Sequence, residues 1–261
     1  MMDILLMGDA KAGRSSIAKV IFQKMVSKST KLLGETSKME SYDFKIQKIE
    51  FKLYDFPAKY DISEPPPNEQ MILKNAYALI YVLSASSDLT KAGDAFHNIY
   101  KYLRAKNTNN CAMFVLVNKA DLDLSLPDAR SDYLIKLKKR IGEDDVDVRE
   151  IEFFFTSIND SSIFEAFSRV LQRLIPCSPN VCKLLNHFGS YCKVEKVYLF
   201  DLVTKLYIAH NDEKIWDPLK YDICSDMLDV FIDISYLYDK DRHQDDHRST
   251  TNVKLNYEEE N

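Results

Sequence analysis

At 261 residues, the chain is long enough for one core of roughly 150 to 200 residues and a second small unit. Its 46% apolar and 29% charged content suits a globular protein and excludes a disordered or collagen-like chain. The net charge of -5, from 35 basic against 40 acidic residues, has the wrong sign for a chain that tracks nucleic acid by its overall field, so no nucleic-acid partner is expected.

In chain order, Asp3 to Met7 is a short apolar run ending at Gly8, which suits a buried parallel strand. Ile17, Val20, Ile21 and Met25 recur at helical steps, predicting a helix over Ser15 to Met25. A polar stretch from Val26 to Glu40 follows. Phe44, Ile46, Ile49, Phe51 and Leu53 then predict two extended segments with a tight turn near Gln47-Lys48. Pro65-Pro66-Pro67 predicts a stiff extended loop, because proline is excluded from a helix interior. Strands are expected over Tyr77 to Leu83, Met113 to Val117 and Ile151 to Phe155, alternating with helices over Ala92 to Leu103, Asp128 to Ile141 and Ser162 to Ile175. This alternation predicts an α/β fold with a doubly wound sheet, whose ligands lie at the carboxyl ends of the strands.

The pattern changes after Pro176. A short helix at Val181 to Phe188, a hairpin of Lys196 to Asp201 with Thr204 to Ala209, and a helix over Ile223 to Ile234 read as a separate α+β unit. The expected domains are therefore 1–176, 177–238 and a polar, flexible tail at 239–261. The longest apolar run, Ala76 to Leu83, falls short of the roughly 20 residues that span a bilayer. With Met2 in second place and Asn261 last, neither myristoylation nor prenylation is expected. Membrane residence would come through a partner, without direct insertion. The cysteines Cys111, Cys177, Cys182, Cys192 and Cys224 match no common zinc spacing and read as reduced, mostly buried thiols of a cytosolic protein. His243 and His247 have the i,i+4 spacing of two ligands on a helix face, but their charged surroundings read as a solvated loop.

Three motifs carry chemistry. Gly8-Asp9-Ala10-Lys11-Ala12-Gly13-Arg14-Ser15, with Ser16 after it, is a phosphate-loop pattern with arginine in the lysine position. Backbone N–H groups of such a loop and the positive end of the next helix hold a di- or triphosphate, and Ser15 supplies a hydroxyl for Mg²⁺. Asn118-Lys119-Ala120-Asp121, directly after a buried strand, is a guanine reader, since the Asp121 carboxylate can accept from the ring N–H and the exocyclic amine. Ser157 and Ile158 sit where a third loop could close on the base through backbone N–H groups. Asp55 suits a magnesium-bound water, and Thr36 is a candidate second hydroxyl on Mg²⁺ or an ordinary loop residue.

The segments Ile4-Leu5-Leu6-Met7-Gly8, Asp55-Phe56-Pro57, Ala78-Leu79-Ile80-Tyr81-Val82, and the run from Thr156-Ser157-Ile158 through Ser162 to Ser168 and on to Pro176 resemble the Rag GTPases in their C/D branch. The likeness continues through Glu195-Lys196, Leu199-Phe200-Asp201 and Asp226 to Val230, as far as about Tyr238. The resemblance implies a Ras-like P-loop GTPase domain and a roadblock-type domain, with GTP or GDP and Mg²⁺ as ligands. It also implies a heterodimer with an A/B-type Rag subunit that signals amino-acid sufficiency to TORC1. A Ragulator-like scaffold would hold this otherwise cytoplasmic dimer on the lysosomal or vacuolar surface. A C/D-type subunit of this kind promotes signalling when loaded with GDP.

Three positions depart from that pattern. Arg14 replaces a compact ammonium by a planar guanidinium. Ala58 stands where the family has glycine, and Lys59 where it has the water-orienting glutamine. The expectation is a guanine-nucleotide switch with weak or no intrinsic hydrolysis, and the alternative is a pseudo-GTPase that serves only as a structural partner of an A/B-type subunit. A competent GTPase needs a catalytic group from elsewhere, and a phosphate-loop kinase would leave the guanine motif without a purpose. Asn252 to Asn256 reads as the start of a further strand, so the roadblock-type unit is expected to be truncated, completed by a partner or poorly folded alone.

Overall fold

The chain folds through β1 (Met2–Gly8), α1 (Arg14–Gln23), a 3₁₀ turn (Ser27–Leu32), β2 (Glu40–Ile46), β3 (Ile49–Asp55), α2 (Pro67–Asn75), β4 (Ala78–Ser84) and α3 (Leu89–Lys106). It continues through β5 (Ala112–Asn118), α4 (Ala120–Asp123), α5 (Pro127–Gly142), β6 (Ile151–Thr156), α6 (Ser162–Leu174), α7 (Ser178–Cys192), β7 (Tyr198–Phe200), β8 (Tyr207–His210) and α8 (Pro218–Tyr238). This computed structural model describes residues 1–34, 36–46, 48–143, 146–211 and 217–238. Gln47, His243, His247, the tail from Asp239 and the strand expected at Asn252 to Asn256 lie outside the described residues.

The period of two in a strand explains how the sheet is filled. In β1, Ile4 and Leu6 enter one apolar core while Leu5 and Met7 enter the other. In β4, Ala78, Ile80 and Val82 oppose Leu79, Tyr81 and Leu83 in the same way. Both strands are near-continuous in apolar residues because both faces are covered. The sheet order is β2-β3-β1-β4-β5-β6, parallel except for the edge strand β2. Ile17 and Ile21 of α1 and Ile163, Phe167 and Val170 of α6 cover one face. Leu73 of α2, Phe96 of α3 and Leu137 of α5 cover the other. This is the mixed α/β architecture expected, with the carboxyl ends of β1, β3, β5 and β6 brought to one edge.

The triple proline behaves differently from its expectation. Pro67 opens α2, with Pro66 as its N-cap and the Glu69 and Gln70 N–H groups both donating to the Pro66 carbonyl at 2.9 Å. A first-turn residue has no intrahelical acceptor for its N–H, so proline there loses nothing and its fixed φ favours the helix. The hairpin also departs from the reading of a new unit after Pro176. Leu206 and Ile208 belong to the same core as Phe167 and Val170. The Tyr207 N–H donates to the buried Ser168 Oγ at 3.0 Å, and Ser178 Oγ donates to the Ile208 carbonyl at 3.1 Å. The compact units instead divide between residues 216 and 217. In the second unit, α8 is capped by Asp217, whose Oδ1 accepts from the Lys220 N–H at 3.3 Å. Its Leu219, Ile223, Met227, Val230 and Ile234 recur at three- and four-residue steps.

All five cysteines are free thiols. Cys111 and Cys182 are buried but Cys177 and Cys192 are exposed, so burial is less general than expected. Burial pushes the Cys111 thiol up to about 12. No helix of the described residues is long and apolar enough to cross a membrane.

Packing of the hairpin on α6 has an electrostatic consequence. Glu165 lies in the first turn of α6, near Tyr207 and Arg169, and burial raises its carboxyl from the ordinary 4.5 to about 7 despite Arg169. The folded protein therefore binds this proton more tightly than the unfolded chain, and stability falls as pH rises from 4.5 to about 7. Glu165→Gln should remove that dependence and raise stability by about 1–3 kcal/mol above neutral pH. Urea denaturation below and above this window reads the difference.

Candidate functional site

The loop after β1 is shaped by one close approach. Gly8 has φ 145°, and a Cβ there would lie 1.9 Å from the Val82 carbonyl oxygen of β4. Only glycine allows this contact, and the chain then turns with Asp9 N–H donating to that same oxygen at 3.0 Å. Lys11 adopts a left-handed φ of 60° with its side chain exposed. Gly13, at φ 94°, caps α1, and its carbonyl accepts the Ile17 N–H at 2.9 Å. A helix N-terminus is thereby aimed at the loop, as phosphate binding requires.

The segment Asn118 to Asp121 reaches back to this loop. Asn118 is buried at the end of β5, and its Nδ2 donates to the Ala12 carbonyl at 2.7 Å while its Oδ1 accepts from Thr156 Oγ1 at 3.3 Å. Lys119 Nζ donates to the Lys11 carbonyl at 2.8 Å. Asp121 Oδ2 accepts from Asn159 Nδ2 at 3.0 Å. Burial opposes ionisation of Asp121, but hydrogen bonds from Asn159 and Ser157 outweigh it and hold the carboxyl below the usual range. The Ser157 N–H donates to Ser162 Oγ and the Asn159 N–H to Ser157 Oγ. Among the described residues, the Ile158 N–H between them has no acceptor.

At the other end, three oxygens converge from three elements. Ser15 Oγ donates to Asp55 Oδ2 at 2.5 Å and lies 2.6 Å from Thr36 Oγ1. Thr36 is thus brought to the site from the polar stretch. Asp55 is fully buried, and burial pushes its carboxyl up against the opposing pull of Ser15 and Arg14. Its Oδ1 has no hydrogen-bond donor. Two hydroxyls and a carboxylate with an unsatisfied oxygen form a hard donor set, and 2.6 Å is close to the ~2.9 Å between adjacent ligands of an octahedral Mg²⁺. These residues fit that ion, which would supply positive charge beside bound phosphates.

Arg14 is 6% exposed. Its Nη1 donates to the Gly8 carbonyl at 3.1 Å, and its Nε lies 4.0 Å from Asp55 Oδ1. Burial lowers the guanidinium pKa, and Asp55 is the chief opposing influence. Asp9, Ala10, Lys11, Gly13, Arg14, Ser15, Ser16, Thr36, Ala58, Asn118, Lys119, Asp121, Ser157 and Ile158 line one cleft of about 470 Å³. Ala12 and Asp55 are buried and do not line it. Lys59 is exposed and does not line it.

A family model described as the Gtr1/RagA G protein conserved region matches residues 3–228. The chain belongs to the Gtr1/RagA family. It is 36% identical to Ras-related GTP-binding protein C of Homo sapiens over 237 residues, 90% of this chain and 59% of that relative. It is 38% identical to GTP-binding protein gtr2 of Schizosaccharomyces pombe over 237 residues, 90% of this chain and 74% of that relative. To Ras-related GTP-binding protein D of Mus musculus it is 37% identical over 263 residues, covering 97% of this chain and 58% of the relative. Within the Gtr1/RagA family it is therefore a C/D-type, Rag-like chain, and it spans about three fifths of the mammalian relatives' length.

This Gtr1/RagA-family cleft also uses residues that motif reading passed over. Asn159 holds Asp121, and the buried Tyr81 hydroxyl donates to Asp9 Oδ1 at 2.7 Å. Ser27, Thr30, Lys31, Leu33 and Gly34 of the polar stretch line the cleft. Asn159 stands two residues beyond Ser157 in the loop after β6, where an amide within reach of Asp121 is readable from spacing. Tyr81 was not readable, because it spells an ordinary β4 core residue.

Asn118→Ala should destabilise the ligand-free protein by about 1–3 kcal/mol, since it leaves the Ala12 carbonyl without its buried donor. A chemical denaturation midpoint measured without added nucleotide checks this.

Proposed function

We propose that this chain is a guanine-nucleotide-binding regulatory subunit of a Rag-type heterodimer in amino-acid signalling to TORC1, with weak or no intrinsic GTP hydrolysis. The observation that carries the reading is the ionised Asp121 at one end of a cleft whose other end is the phosphate loop. A carboxylate in that setting accepts from both the ring N–H and the exocyclic amine of guanine, whereas adenine leaves it unpaired. The Ile158 N–H is available to the guanine carbonyl oxygen. Main-chain N–H groups of residues 9–16 and the Arg14 guanidinium hold the phosphates, and Mg²⁺ is held through Ser15, Thr36 and Asp55.

Hydrolysis needs a group that both accepts from and donates to the attacking water. Lysine only donates, and Lys59 lies off the cleft. Ala58 lines the cleft and keeps an N–H for a third phosphate, so the site favours binding over turnover. In this reading an A/B-type subunit is the heterodimer partner. A Ragulator-like scaffold places the pair on the lysosomal or vacuolar membrane.

Asp121→Asn should shift the base preference from guanine toward xanthine, because the amide presents a donor to the exocyclic carbonyl oxygen that replaces the guanine amine. Competition of xanthosine and guanosine diphosphates against a fluorescent analogue measures this, and an unchanged guanine preference would remove Asp121 as the reader. Protein that carries no nucleotide on purification and binds none when titrated would instead leave the pseudo-GTPase reading, a structural partner alone.

A further inference from the structure

Arg14 reaches two partners through two different nitrogens, whereas an ammonium must reach all its partners from one atom. Its Nη1 holds the Gly8 carbonyl at 3.1 Å while its Nε stands 4.0 Å from Asp55 Oδ1. A guanidinium carries five donors spread over a rigid fork, so both contacts leave others for phosphate. A lysine delivers its three donors from one point.

Asp55 is the acid within ion-pair distance of this cation among the described residues. It is fully buried, its Oδ2 is engaged by Ser15, and its Oδ1 has no hydrogen-bond donor. Asp9, the other acid whose field reaches Arg14, has Oδ1 engaged by the Tyr81 hydroxyl at 2.7 Å. When no metal is bound, Asp55 Oδ1 has no hydrogen-bond donor and faces Arg14 Nε at 4.0 Å. In a lysine-bearing loop, loss of the metal sets buried carboxylate and nucleotide phosphates against each other with one point charge between them. A closure of about 1 Å by the guanidinium would bring Nε into hydrogen-bond range of Oδ1.

We propose that Arg14 makes nucleotide binding by this chain only weakly dependent on Mg²⁺, by compensating Asp55 itself when the metal is absent. The inference rests on the guanine-nucleotide reading above and concerns the regulation of that site. It makes chelation of the metal a poor trigger of nucleotide release here.

The test follows release of a fluorescent GDP analogue from the full chain, chased with unlabelled GDP in Mg²⁺ or in EDTA, for the unaltered protein and Arg14→Lys. EDTA should accelerate release less than about tenfold from the unaltered chain and about a hundredfold or more from Arg14→Lys. That difference corresponds to one charge-assisted hydrogen bond. Equal acceleration of the two overturns the inference and leaves the nucleotide reading standing. If Arg14→Lys does not fold, the unaltered chain decides alone, and acceleration of about a hundredfold or more overturns the inference. Failure to bind GDP in either condition overturns the nucleotide reading, and the inference with it.

Discussion

The hydrogen bond from Asn118 Nδ2 to the Ala12 carbonyl, 2.7 Å long, joins the end of β5 to the loop after β1 across 106 residues of sequence. It ties the segment that carries Asp121 to the loop that precedes Ser15. It is buried, so breaking it exposes neither group to water and costs more than a surface bond. Gly13 must lack a side chain for the same reason, because a Cβ would come within 2.6 Å of that amide. The segment 118–121 and the loop after β1 are thereby tied together at one end of the cleft, while Thr36 and Ala58 reach it from other loops.

Beside that loop the charges are arranged around Arg14 and Asp55. Both are buried, and each shifts away from its ordinary pKa because burial penalises its charged form more than the partner compensates. An ion pair at 4.0 Å with an unsatisfied carboxylate oxygen is an incomplete arrangement. Two additions would complete it, a cation beside Ser15 and Thr36 or an anion for the free guanidinium donors.

Reading the residues in order recovered the alternation of strands and helices, because burial on both faces of a parallel sheet writes itself as apolar runs in β1, β4 and β5. It also found the glycines at 8 and 13, where backbone approach admits nothing larger. It missed α2, since a proline signals a break in the interior of a helix but is tolerated at its first turn, and only the following residues decide which applies. It assigned the hairpin to a separate unit at Pro176, whereas Leu206 and Ile208 complete the core under α6. Apolar residues in a short strand announce that they will be buried, not against which element.

The sequence alone determined the chemistry available at the site: a carboxylate at 121, hydroxyls at 15 and 36, a guanidinium at 14 and glycines that open the backbone. Those follow from residue type and from local spacing. Tertiary structure alone decided their partnerships. Thr36 lies 21 residues from Ser15 and Asp55 lies 40, yet the three oxygens meet within hydrogen-bond distance. Asn159 holds Asp121, and Arg14 faces Asp55. Lys59, next to a residue that lines the cleft, stays outside it. Distances between elements come from how the sheet and its two helical layers pack, and no local pattern records them.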